Sequence, residues 1–349
     1  MMKLDCFGSY MVGQCELVNP INGGEYDLFL TTVGWEARAN FALSKLAGFA
    51  KRTIGLRFES STADLDEKKS GNQEELLKAI PDCKLVNLLG STRVQDNFAR
   101  LRHEILEEYR LVGRPLRVVV DISCLPKSYI LFLLGLGLSQ DLFACFDSLY
   151  TPGKYDLVGP PDRAEPSRSV GPRSLISVGE WTSVQIPYLT ADQFMPSSRD
   201  LIVTLGGEIG LSLPFIERTE PRNLSLIFIS ESAPNAGKSM HKSEAQAYAE
   251  LMEEPNVARF DVGLSDMLGV ARFSSSAAQG TTSGGVTGMA IGSKSHALGL
   301  GLAALIEGKL DVVCRIPTGY SPLDVHPRGD VHFYRIVDRF EPHSYFIKS

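Results

Sequence analysis

The chain has 349 residues, 44% of them hydrophobic and 22% charged, and a formal net charge of −6. That length suits about two domains, and the composition is that of an ordinary globular protein rather than a disordered or fibrous one. The acidic balance supplies no global field to hold nucleic acid non-specifically, which leaves only a local basic pocket for such a partner.

Residues 1–24 are a lead-in without the charged and apolar regions of a signal peptide. Residues 27–33 read as a strand and 36–47 as a helix, with alanines and leucines at helical spacing. A second strand follows at 53–58. The charged stretch 59–71 reads as a solvated loop, 73–80 as a short helix and 84–89 as a strand. Residues 97–111 form the clearest amphipathic helix. Next comes the stretch 116–138, a β-branched run to Ile122, a short break, and an apolar run that reads as a helix packed on that strand. Its core, 129–138, is too short to span a bilayer. Residues 142–149 form a further strand. Strands alternating with helices predict an α/β fold with a mostly parallel, doubly wound sheet.

Residues 153–172, rich in Pro, Gly and Arg, read as a linker, and 175–178 with 183–186 as a hairpin joining two halves. The alternation then resumes, with strands at 200–205, 224–229, 257–262, 288–291 and 310–315 and helices at 208–218, 243–253 and 294–306. Between Asp266 and Gly285 the small, polar sequence reads as a loop over a pocket or as filler. Residues 330–337 close the chain as an edge strand.

The second half echoes the first. Tyr26 to Arg38 resembles Arg199 to Gly210 and pairs Glu36 with Glu208. Lys127-Ser128 aligns with Lys294-Ser295, and Gly292-Ser293 replace Leu125-Pro126. Near Pro152 and Pro317 a third pair of segments matches in the same order. The expected organisation is therefore two tandem, diverged Rossmann-like units, 1–156 and 199–349, joined by a linker and hairpin at 157–198.

The candidate sites lie where strands run out. Asp121 sits at the carboxyl end of its strand, Ser123 in the turn and Lys127 in the first helical turn. A cation is disfavoured there by ~0.3–1 kcal/mol, which suggests an anion shared with the free backbone N–H groups. The plain alternative is that Lys127 reaches into water while Asp121 caps its own turn. In a doubly wound sheet the first and fourth strands end side by side at the ligand-binding edge. Gly34, Glu36, Arg38, Asp121, Ser123 and Lys127 thus make one candidate site. Gly206, Glu208, Gly292, Ser293, Lys294 and Ser295 make its counterpart. The segment from Ser232 to Ser239 resembles a phosphate-binding loop with its first glycine replaced, so Lys238 joins the candidates as a residue bordering an anion.

Other chemistry finds little support. The histidines lack metal-ligand spacing, no nucleophile–base–acid order stands out, and no cofactor is identified. Six scattered cysteines read as reduced thiols in a cytoplasm.

A strand ending in Thr32-Val33-Gly34, with a later strand ending in Asp121-Ile122-Ser123 and a lysine at 127 before an apolar helix, resembles the CRISPR-associated Rossmann-fold (CARF) sensor family. The family usually has glycines and a threonine where this chain has Cys124, Leu125 and Pro126. The resemblance covers residues 25–150, with a weaker echo in the second half. It implies binding of a nucleotide second messenger in prokaryotic antiviral defence, sometimes with slow cleavage, and a sensor or accessory role acting on a protein partner. Two readings of other classes stand beside it. One is a hydrolase or transferase acting on a phosphorylated small molecule or cyclic nucleotide. The other is a protein-interaction scaffold with vestigial ligand sites.

Overall fold

The β-branched run around Val118–Val120 folds as the strand Leu116–Asp121, parallel to Leu28–Thr32 on one side and to Phe143–Tyr150 on the other. It is central to the first of two units in a computed structural model, which describes residues 2–155, 177–191, 199–206, 212–229, 248–282, 284–320 and 325–339. Met1–Asp156 and Pro322–Ser349 form one unit, and Leu157–Ser321 the other.

In the first unit the parallel strands run, across the sheet, Lys84–Leu88, Arg52–Phe58, Leu28–Thr32, Leu116–Asp121 and Phe143–Tyr150. Numbered along the chain, that order is 3-2-1-4-5. Helices Ala63–Ala79, Val94–Val112 and Lys127–Ser139 make the crossovers. The winding reverses between Leu28–Thr32 and Leu116–Asp121, and the crevice beyond their carboxyl ends is the topological switch point. The second unit repeats the order with Val257–Val262, Leu224–Ile229, Asp200–Thr204, Val286–Ala290 and Leu310–Tyr320. In each unit an antiparallel strand adjoins the fifth, His332–Asp338 in the first and Ser177–Gln185 in the second. The chain is two tandem Rossmann-like α/β units.

Helix Lys127–Ser139 is buried from Ser128 to Leu138, which is why its sequence is apolar all round. Each of its leucines contributes roughly 1.5–3 kcal/mol by leaving water. Gly137 lets it approach the sheet, since a Cβ there would lie 1.8 Å from the Phe143 ring.

Several elements differ from the sequence reading, each for a local reason. Residues 36–47 form no α-helix. The Asn72 side chain donates to the carbonyls of Gly34 and Glu36, Ala39 N closes a tight turn on Glu36 O, and a short 3-10 turn, Phe41–Lys45, follows. From residue 63 on, the charged stretch at 59–71 belongs instead to one helix, Ala63–Ala79. Thr62 caps it by accepting from Leu65 N, and Asp64 and Asp66 complement the dipole in its first turn. Likewise the small polar segment after Asp266 is the helix Met267–Gly280, capped by Asp266 accepting from Gly269 N at 2.8 Å. Its serines suit close packing on Lys294–Ile306, where a Cβ on Gly299 would lie 2.3 Å from Met267 O.

The expected hairpin at 175–186 is one strand, Ser177–Gln185, with a register shift between Val178 and Trp181. The lead-in pairs as the hairpin Asp5–Phe7 with Tyr10–Glu16. The closing strand is an interior one, since His332–Asp338 lies between Tyr10–Glu16 and Phe143–Tyr150. It therefore belongs to the first unit, not to the second as its sequence position suggested.

Candidate functional site

At the first unit's switch point, four predicted residues join one chain of hydrogen bonds. Asp121 Oδ1 accepts from Ser123 N at 2.9 Å, which shapes the turn after the strand. Ser123 Oγ accepts from Thr151 N at 2.9 Å. Thr151 O accepts from Arg38 Nη1 at 2.7 Å, and Arg38 Nε donates to Glu36 Oε2 at 2.5 Å. Arg38 also donates to the Tyr150 hydroxyl; burial raises that phenol's pKa, which the guanidinium partly offsets. Gly34 packs on Cys124, where a Cβ would lie 2.9 Å from the cysteine Cβ. The link that sequence reasoning missed is Thr151. It follows the fifth strand, in the repeated segment near Pro152, but only the fold brings it to this edge.

Burial sorts these residues by role. Asp121, Ser123 and Arg38 are buried, and their hydrogen bonds knit the ends of the first, fourth and fifth strands. Glu36 and Lys127 remain partly exposed at the rim. Lys127 is the first residue of its helix, whose N-cap, Pro126, makes no side-chain cap. Two hydroxyls at this edge, Thr32 Oγ1 and Thr151 Oγ1, are buried with no hydrogen-bond partner among the described residues. A buried polar group left so costs about 1–3 kcal/mol. Such groups are completed by ordered water, an ion or a ligand, or they store strain; Thr31 Oγ1 and Ser148 Oγ in the same sheet are in the same state.

The second unit is built alike and closed differently. Thr204 ends its first strand as Thr32 ends the other, but Thr204 Oγ1 accepts from Gly292 N at 3.0 Å. Ser293 caps the helix Lys294–Ile306, accepting from His296 N at 3.0 Å, and donates to Leu264 O at 2.8 Å. His296 is fully buried, its Nε2 2.8 Å from Gly263 O. Gly206 meets Gly292 backbone to backbone, with 3.2 Å from a hypothetical Cβ to Gly292 Cα. Where Asp121 ends its strand, Ala290 ends the equivalent one. Ser295 is buried and Lys294 half-buried at the helix start. Glu208 and Lys238 lie outside the described residues.

Between the first switch point and the next strand lies Lys69, which sequence reading had placed in a solvated loop. It is 4% exposed, its Nζ donates to Phe58 O at 2.7 Å, and it stands 5.8 Å from the Trp35 ring centroid. Desolvation, reinforced by the Arg57 charge, pulls its pKa down to about 8. Among the described residues, no group of three or more His, Cys, Asp or Glu side chains could hold a metal ion. None of the described helices is long and apolar enough to cross a membrane.

No protein-family model matches the chain, and no curated protein does. Among solved structures it is similar to the cytoplasmic domain of a prokaryotic cation chloride cotransporter, at 10% identity over 84% of this chain and 96% of that one. The TM-score is 0.20. At that value the likeness bears on neither fold nor function.

Proposed function

We propose that the first unit binds a nucleotide-type anionic ligand at its switch point, and that the chain is a sensor or accessory protein acting on a protein partner in the cytoplasm. The observation that carries the reading is the contrast between Thr32 and Thr204. The same hydroxyl is spent on the turn in the second unit and is buried without a described partner in the first. Beside it, a helix N-terminus without a side-chain cap and a partly exposed lysine favour negative charge. The CARF-like motif residues Thr32, Gly34, Asp121, Ser123 and Lys127 all lie at this edge, which is consistent with a second messenger of antiviral defence as the ligand.

A scaffold reading draws on a different observation, the internal bonding of Asp121, Ser123 and Arg38, which makes the cluster a structural tie. A thermal-shift screen of the full chain against mononucleotides and cyclic di- and oligonucleotides separates the two. A ligand at 100 times its Kd stabilises the native state by about 2.7 kcal/mol, so a clear rise in Tm with one of these compounds is expected. A flat screen would leave the scaffold reading standing. Turnover of the compound that binds, followed by chromatography, would make the protein a hydrolase or transferase instead.

A further inference from the structure

A second recess opens along the same sheet edge, at the ends of Arg52–Phe58 and Lys84–Leu88. It has a volume of about 670 Å³ and is lined by Arg57, Phe58, Glu59, Ser61, Asn87 and Leu88, among others. That volume lies within the range of small-molecule sites, roughly 300–1,000 Å³. We infer that this recess receives a nucleoside moiety, the uncharged end of the ligand whose phosphate lies at the switch point; the inference thus rests on the reading above.

Charge decides the class. Arg57 is the recess's one cation among its lining residues, and its guanidinium is committed to Asp66 at 2.8 Å and Gln73 at 2.7 Å. Asp66 and Glu59 add negative charge to the lining, and Asp64 adds more in the first turn of the adjacent helix. A phosphate is disfavoured in such a place. Neutral polar groups suit it. Asn87 presents an amide that both donates and accepts, Ser61 a hydroxyl, and Glu59 a carboxylate with one oxygen on Gly90 N at 3.0 Å. Asn87 and Glu59 are exposed, and Phe58, half-buried, supplies apolar surface. Hydroxyls of a sugar and the edge of a base match those groups.

Two contacts set Phe58, which lines the recess, beside residues of the switch point. Lys69 joins Phe58 O to the Trp35 ring, and Trp35 lies between Gly34 and Glu36 in the chain. Phe58 also packs edge-on against Tyr129, with ring centroids 4.8 Å apart, two residues into the helix that Lys127 begins.

Calorimetric titration of the full chain with AMP, GMP, CMP, UMP and inorganic pyrophosphate tests the inference, on wild type and on Asn87→Ala and Lys127→Ala. Asn87 is exposed and its side chain makes no described hydrogen bond, so truncating it leaves the fold intact; the thermal melt verifies this. At least one nucleotide is expected to bind, and Asn87→Ala to weaken it roughly five- to tenfold while leaving pyrophosphate unaffected. Lys127→Ala should weaken both. Nucleotide affinity untouched by Asn87→Ala, with Lys127→Ala still harmful, overturns the nucleoside recess and leaves the switch-point site. The reverse pattern overturns the switch-point reading and retains the recess. Failure of all four nucleotides to bind overturns the recess.

Discussion

Arg335 and Asp147 stand 188 residues apart in sequence and meet in the interior of the first unit, with Arg335 Nη2 2.6 Å from Asp147 Oδ2. Tyr26 donates to the same carboxylate at 2.5 Å and Cys145 Sγ lies 3.1 Å from it. Burial raises the pKa of the Tyr26 phenol and the Cys145 thiol, and the nearby Asp147 charge adds to both shifts. The strand His332–Asp338 is thereby held to the sheet by a charge pair as well as by its ladder.

That pair predicts a specific loss. Arg335→Met leaves Asp147 buried and without its cation, and breaking a buried pair from one side costs about 3–5 kcal/mol. Adding Asp147→Asn to Arg335→Met removes the stranded charge and should recover part of that loss. Urea unfolding of the two variants against wild type measures it. Equal stability of Arg335→Met and wild type would show that the pair adds nothing to the fold.

The two helix-start lysines are expected to behave differently. Lys127→Ala should lower affinity for pyrophosphate roughly ten- to a hundredfold, the worth of a charge-assisted hydrogen bond. Its Tm should hold or rise slightly, because the lysine opposes the helix dipole by ~0.3–1 kcal/mol and alanine is the better helix former. Lys294→Ala should leave pyrophosphate binding unchanged, since Ser293 and Thr204 already satisfy that turn. Marked destabilisation by Lys127→Ala with unchanged affinity would make this lysine structural.

Lys69 sets a pH dependence whose sign is fixed by its burial. Its native pKa is about 8, against roughly 10.4 in an unfolded chain. Below the native value both states hold the proton and the desolvation penalty is full. Between the two values the unfolded chain binds a proton that the native chain does not, so the contribution to stability rises with pH. Relative to Lys69→Met, the wild-type protein should gain stability from about pH 7.5 to about pH 9.5, read as a wild-type urea midpoint that rises with pH against the variant's. A wild-type midpoint that stays constant or falls against the variant's would contradict the assignment.

What the sequence determined by itself was whatever short-range patterning encodes. The run 116–138 showed its strand and its buried helix because β-branched and all-apolar stretches leave few alternatives. Repetition of strand, lysine and apolar helix in two places revealed the tandem α/β units, and Asp121, Ser123 and Lys127 could be placed at a strand end from local order alone. Helix Ala63–Ala79 escaped because its charges hide a narrow buried face of Leu65, Lys69 and Leu76. Met267–Gly280 escaped because small serines read as loop until a close-packed partner helix is present. Only tertiary structure decided that the end of the chain completes the first sheet, because strand pairing over such a separation leaves no periodic trace. Nor could sequence show how the two strand-end threonines are bonded. That depends on whether a threonine hydroxyl meets the backbone of a distant turn, as Thr204 meets Gly292 and Thr32 meets no described group.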